Sequence, residues 1–186
     1  MNRHSMPRAR VGARSDTRTA PARLSDYVLL AVLLAAGFTL NLTVGNALAV
    51  TGIKPQFIIA SYALAILCAR ATVPRAATFG LIAAAVTQLT TSVPGLNFVT
   101  DTFCAAFFAW LLRVPVRLGA HDLTPGVATL VAALACGVLF AVLGTVLTGA
   151  ALPTALAKAP VVVGSAVIDA VLVQLLAHPL ERAVRR

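Results

Sequence analysis

After a polar opening segment, the chain alternates long apolar stretches with short polar breaks. The apolar stretches occupy about residues 27–46, 56–69, 76–92, 98–112, 127–150 and 160–177. Each reads as a membrane helix. The breaks carry turn-forming residues: Gly45, Asn46, Thr51, Gly52 and Lys54-Pro55 in the first, Pro94-Gly95 in the third. Pro115, Gly119, His121, Asp122 and Pro125-Gly126 divide the chain into two halves, and Pro153 and Lys158 mark the last break. Pro179 is expected to end the sixth helix. The second stretch is short, rising only about 21 Å against a hydrocarbon core of about 30 Å. Either Lys54 and Arg70 snorkel at its two ends or the bilayer thins locally.

Charge orients these spans. With the N-terminus in the cytoplasm, the cytoplasmic segments hold Arg3, Arg8, Arg10, Arg14, Arg18, Arg23, Arg70, Arg75, Arg113, Arg117, Arg182, Arg185 and Arg186. Of the 15 Lys and Arg residues, only Lys54 and Lys158 fall outside. This is the positive-inside bias of a polytopic membrane protein. Removing the shortest span splits the same residues almost evenly, so the pattern specifies six spans. The expected fold is an all-α membrane protein of six transmembrane helices with both ends cytoplasmic. A disordered basic tail (residues 1–26), a membrane domain (27–178) and a second basic tail (179–186) make up the chain.

Composition narrows the function classes. The chain is 59% hydrophobic and 11% charged, with a mean hydropathy of +0.90. Ordinary soluble chains are about 25% charged. The net charge of +9 lies beside hydrophobic spans, which points to anionic lipid headgroups and a lipid bilayer, with no nucleic acid partner. The opening segment is Arg-rich and poor in acids, as in a transit peptide, but Pro7 and Pro21 interrupt any amphipathic helix. A multi-pass protein of the cell inner (plasma) membrane is expected. Cys68, Cys104 and Cys136 lie within or at the end of apolar spans without CxxC spacing and read as small buried hydrophobes. No metal-ligand set, cofactor motif, nucleotide-binding loop or nucleophile–base pair is present, so an enzyme is not expected. Any uphill transport must draw energy from an ion gradient or a partner.

Polar residues within spans are costly, and most lie in the outer half. These are Asn41 and Asn46, Lys54 and Gln56, Thr87, Gln88, Thr90 and Thr91, and Asn97, Thr100 and Asp101. The inner halves are almost purely aliphatic. A solute site open to the outside fits this distribution, whereas a channel needs polar lining at both depths. Each residue also has a plainer role open to it. Thr87 and Thr90 can satisfy carbonyls in their own helix, and Lys54 can be an interfacial anchor. Asp101 wants a partner where it stands. Asp169 lies near the bilayer centre with no intramembrane base to pair with. It is protonated, bonded to a neighbouring helix, or part of a cavity floor. Phe103, Phe107 and Trp110 share one helix face, either as an aromatic wall for a planar solute or as lipid-facing rings.

The run over residues 52–112 resembles the tryptophan-transporter TrpP family, which are S components of energy-coupling factor (ECF) transporters. The residues that carry the likeness are Lys54-Pro55-Gln56, then Leu89-Thr90-Thr91-Ser92-Val93-Pro94-Gly95, then Asp101. Gln56 stands where the family has an acid, the segment from Gly95 to Asp101 is shorter, and Thr102 stands where a Lys follows the Asp. The resemblance implies a substrate-binding S component of an ECF-type ABC importer that takes up a small-molecule substrate, tryptophan or a related aromatic amino acid. It implies as partners a transmembrane coupling subunit and two ATPase subunits. The site expected on this reading comprises Lys54, Gln56, Gln88, Thr90, Thr91, Asn97, Asp101 and Asp169. Lys54 would meet a carboxylate, Asp101 an ammonium and the Phe103 face an indole. Ala31 and Ala35 match a small-residue motif that packs on the coupling subunit, and Ala65 and Ala69 match it equally well. An S component for a vitamin or its precursor is the alternative within transport. A non-transporting membrane scaffold or assembly protein is the alternative of another class, and would scatter its polar residues or place them on a lateral face.

Overall fold

The computed structural model describes residues 23–184 apart from 51, 92, 120, 150 and 152. The basic tail expected over residues 1–26 lies outside the described residues as far as residue 22, as do Arg185 and Arg186. Helices dominate: α1 (Leu24–Ala49), α2 (Phe57–Ala69), α3 (Val73–Thr87), α4 (Leu96–Leu111), α5 (Thr124–Leu147), the short α6 (Pro153–Ala157) and α7 (Ala159–Val184). Of these, α1, α5 and α7 are long and apolar enough to cross a membrane, while α2, α3 and α4 are shorter apolar helices. The architecture is that of an all-α membrane protein.

The outward faces of the helices carry Val28 and Val32 of α1, Val138 and Val142 of α5, and Val163, Val167 and Val171 of α7. Such surfaces belong against hydrocarbon rather than water. The short α2 is the centre of the bundle, with every residue from Phe57 to Ile66 buried. It packs chiefly on α1 and α7. A helix enclosed by other helices has no need to match the bilayer thickness, so its shortness needs neither snorkelling nor thinning. Arg70 ends α2 in a left-handed conformation (φ 46°), and the Ala71 N–H bonds back to the Ile66 carbonyl at 3.0 Å. That is the Schellman closure usually given to glycine.

Close helix contacts depend on two glycines. A Cβ on Gly37 of α1 would stand 2.8 Å from the Phe57 carbonyl oxygen of α2. A Cβ on Gly80 of α3 would stand 2.4 Å from the Asp101 carbonyl oxygen and 2.7 Å from the Ala105 Cβ of α4. Small residues at such crossings let backbones approach and gain van der Waals contact.

Three local features depart from the sequence reading. The break between α4 and α5 contains a two-residue ladder, β1 (Arg117–Leu118) antiparallel to β2 (His121–Asp122). The Thr124 N–H donates to Asp122 Oδ1 at 3.0 Å. Hydrogen bonding from the Thr124 side chain and backbone holds the Asp122 carboxyl below its usual range. The seventh helix runs on through Pro179 to Val184. A proline inside a helix loses one N–H bond and crowds the preceding turn, but Leu180 beyond it still packs against the core. Finally, α1 contains one turn of π-helix at Asn41–Gly45, a distortion that often marks a functional site.

Candidate binding cavity

A cavity of about 310 Å³ opens among the ends of α1, α2, α3, α4 and α7 and the second half of α5. These ends lie on the side that the charge pattern assigns to the exterior. The volume is near the lower limit for small-molecule sites, about 300 Å³. Apolar lining comes from Ile59, Val161, Val162 and Ala166, and Phe140 is the aromatic ring in the wall.

Each wall supplies its polar groups through helix geometry. In α1 the π turn sets Asn41, 8% exposed, against the cavity. In α4, Asn97, Thr100 and Asp101 stand three and four residues apart and so share one face. In α7, Ser165 and Asp169 stand four residues apart on one face, and Lys158 stands just before the helix, seven residues ahead of Ser165. The loop before α2 contributes Lys54 and Gln56, both exposed. The Ser165 hydroxyl donates to the Lys54 carbonyl at 2.5 Å, which fastens this loop to α7.

A hydrogen-bond chain joins α3 to α4. The Thr91 hydroxyl donates to Asn97 Oδ1 at 2.7 Å. The Asn97 side chain also faces the Asp101 carboxylate. The Thr87 hydroxyl lies 3.0 Å from Asp101 Oδ2 and 2.9 Å from the Ala84 carbonyl. One hydroxyl proton cannot serve both well. The bond to a carboxylate is the stronger, and a donor arriving at Asp101 leaves Thr87 free to turn to its own helix. Thr87 thus reaches both a carbonyl of its own helix and the Asp101 carboxylate.

Asp169 is different. It is fully buried in the cavity wall, and neither of its oxygens has a hydrogen-bond partner. The Gln56 backbone N–H faces it from outside hydrogen-bond geometry. At the rim, Lys54 and Lys158 are both exposed. The cavity thus has two buried carboxylates on its walls and two ammonium groups at its mouth.

Seven of the eight site residues expected from sequence come together here: Lys54, Gln56, Thr90, Thr91, Asn97, Asp101 and Asp169. Gln88 does not line the cavity. Its Oε1 accepts the Gly95 N–H at 3.0 Å and so braces the α3–α4 turn. The aromatic face is also displaced. Phe103, Phe107 and Trp110 stack with centroids 5.7 and 5.8 Å apart, and Phe103 and Trp110 are 46% and 51% exposed on the outside of the bundle. They form no wall for a solute. Sequence reasoning did not assign Asn41, Lys158 or Ser165 to the site, although the four-residue spacing of Ser165 and Asp169 was a signal for Ser165. Among the described residues no group of His, Cys, Asp and Glu could hold a metal ion.

No protein-family model, no curated protein and no solved structure matches this chain.

Proposed function

We propose that this chain is the solute-binding S component of an ECF-type importer, taking a zwitterionic amino acid from outside the cell. One observation carries the reading: the cavity gathers Asp101, Asp169, Lys54 and Lys158 at one end of an apolar bundle. An amino acid presents an ammonium and a carboxylate a short distance apart, and needs partners of both signs. A scaffold would carry its polar groups on lateral faces; here those faces carry chiefly Val, Leu, Phe and Trp, and the exposed Thr39, Thr43, Asn46 and Thr78 bond to carbonyls of their own helices. The resemblance adds tryptophan or a related aromatic amino acid as the solute. The cavity supports the zwitterionic part of that expectation more than the aromatic part, since the stacked rings of α4 face outward.

Transport on this reading requires a transmembrane coupling subunit and two ATPase subunits. The two alanine motifs are no longer equivalent. Ala31 and Ala35 are exposed on α1, whereas Ala65 is buried in the central helix. The former pair is the one available to a partner helix.

The direct test is thermal melting of the purified protein against single amino acids and vitamins. Ligand at a hundred times its Kd should stabilise the protein by about 2.7 kcal/mol, a shift of several degrees. A vitamin that shifts the melt while amino acids do not would keep the S-component reading and change the solute. No shift with either class would count against solute binding.

The reading also assigns six spans with both termini cytoplasmic. In a variant whose native cysteines are replaced, Pro94→Cys should react with an impermeant maleimide on intact cells. Leu118→Cys, on the β hairpin, should react only after permeabilisation. The reverse pattern would overturn the orientation.

A further inference from the structure

Two side chains in the cavity wall carry buried polar atoms that the protein leaves unbonded. One is Asp169, through both carboxylate oxygens, and the other is Asn41, through Oδ1. Both line the same cavity. The position of a Cβ on Gly45 lies 3.2 Å from Asn41 Oδ1 and 3.7 Å from the Pro55 carbonyl oxygen. The N–H of that Pro55–Gln56 peptide faces Asp169. The unbonded atoms are all acceptors. A buried carboxylate is costly unless it is paired and hydrogen-bonded. What the wall lacks is therefore a donor, and a cationic one suits it best.

A simple zwitterion has one cationic group, and Asp101 already offers it a place. The two carboxylates stand on separate walls, since α4 packs on α3 and α5 while α7 packs on α5 and α2. Asp101 is bonded by Thr87 but keeps lone pairs for a further donor. Two carboxylates on the walls and two lysines at the mouth match a ligand with two cations and one anion. Building on the amino-acid reading above, we infer that the solute is an amino acid with a basic side chain. Its side-chain cation meets Asp169, its α-ammonium meets Asp101, and its α-carboxylate faces Lys54 and Lys158. Ile59, Val161 and Val162 line the space between for the methylene stem. Both oxygens of Asp169 are free, which favours the two-pronged guanidinium over an ammonium. An indole in the same position would set an apolar ring against an unpaired carboxylate.

The test compares arginine, citrulline and tryptophan by titration calorimetry on the purified full chain at constant ionic strength. Citrulline has the length of arginine without the charge. Arginine should bind at least tenfold more tightly than either of the others. Asp169→Asn should weaken arginine at least tenfold and remove most of its advantage over citrulline. Should that variant fail to fold, the comparison of the three ligands on the unaltered protein still decides. Tryptophan or citrulline binding as tightly as arginine overturns the inference and keeps the amino-acid reading. A melting shift caused by sodium in place of choline, with none from arginine, overturns it too and gives the acceptors to a metal ion. If no amino acid binds at all, both readings fall.

Discussion

Gly80→Leu should strongly destabilise the native bundle. The α3 and α4 backbones meet at this point, with a Cβ on Gly80 falling 2.4 Å from the Asp101 carbonyl oxygen and 2.9 Å from the Thr102 Cα. Neither atom belongs to a flexible side chain, so nothing can turn aside. The helices must separate, and the contacts along the best-packed pair in the bundle go with them. Overpacking a well-packed core typically costs about 1–3 kcal/mol and occasionally more, and a leucine against backbone belongs at the upper end. Gly80→Ala is a milder version with opposing terms. It gains about 1 kcal/mol of helix propensity and pays the same steric conflict, so a net loss of stability isolates the contact. Ala85→Leu, on the exposed side of the same helix, is the control and should leave the melt unchanged. The measurement is thermal unfolding in detergent, with ligand binding alongside. An unaltered melting temperature in Gly80→Leu would mean that α3 and α4 do not cross here. The same crossing holds Thr87 against Asp101, so even the alanine variant should weaken the ligand if it folds.

The helices and their polar ends were legible in the sequence because lipid and water differ so sharply. An apolar run bounded by Arg, Pro or Gly has few other readings. What stayed hidden has a common cause. In a membrane the hydrophobic residue is at home both inside and outside the bundle, so apolarity no longer says which way a face turns. The rings of Phe103 and Trp110 could equally have faced a solute, and they face outward, with Phe107 half-buried against the core. The short α2 could have been a strained span, and it is the enclosed centre. Polar residues carry the opposite lesson. Asn97, Asp101 and Asp169 had to face inward, and all three reach the cavity. Gln88 obeyed the same rule differently, satisfying the Gly95 amide at a turn. Pro179 misled because its local penalty was outweighed by packing further along the helix. The π turn at Asn41–Gly45 leaves no sequence signal that a periodicity argument would register.

Asp101→Asn should weaken amino-acid binding about ten- to hundredfold without unfolding the protein. A hydrogen bond to a charged group is worth about 1.5–3 kcal/mol, and each 1.4 kcal/mol is tenfold in Kd. Asparagine keeps the shape and can still accept the Thr87 hydroxyl bonded to Asp101 at 3.0 Å. The variant thus removes the charge and little else, and its melting curve without ligand should overlay the original. Lys54→Ala is the complementary change at the mouth. The loop is held by the Lys54 backbone carbonyl, which accepts from Ser165, and not by the ammonium. Removing the side chain should therefore leave the loop in place, and any lost affinity reports contact with the solute carboxylate. Lys158 at the same mouth can take over part of that contact, so the single loss should be smaller than that of Asp101→Asn. Replacing both lysines should exceed the sum of the single effects. Ligand titration of the three variants beside their melting curves separates the cases. Unchanged affinity in Asp101→Asn would place the ammonium on the α7 wall at Asp169, and unchanged affinity without either lysine would leave them as anchors in the headgroup layer.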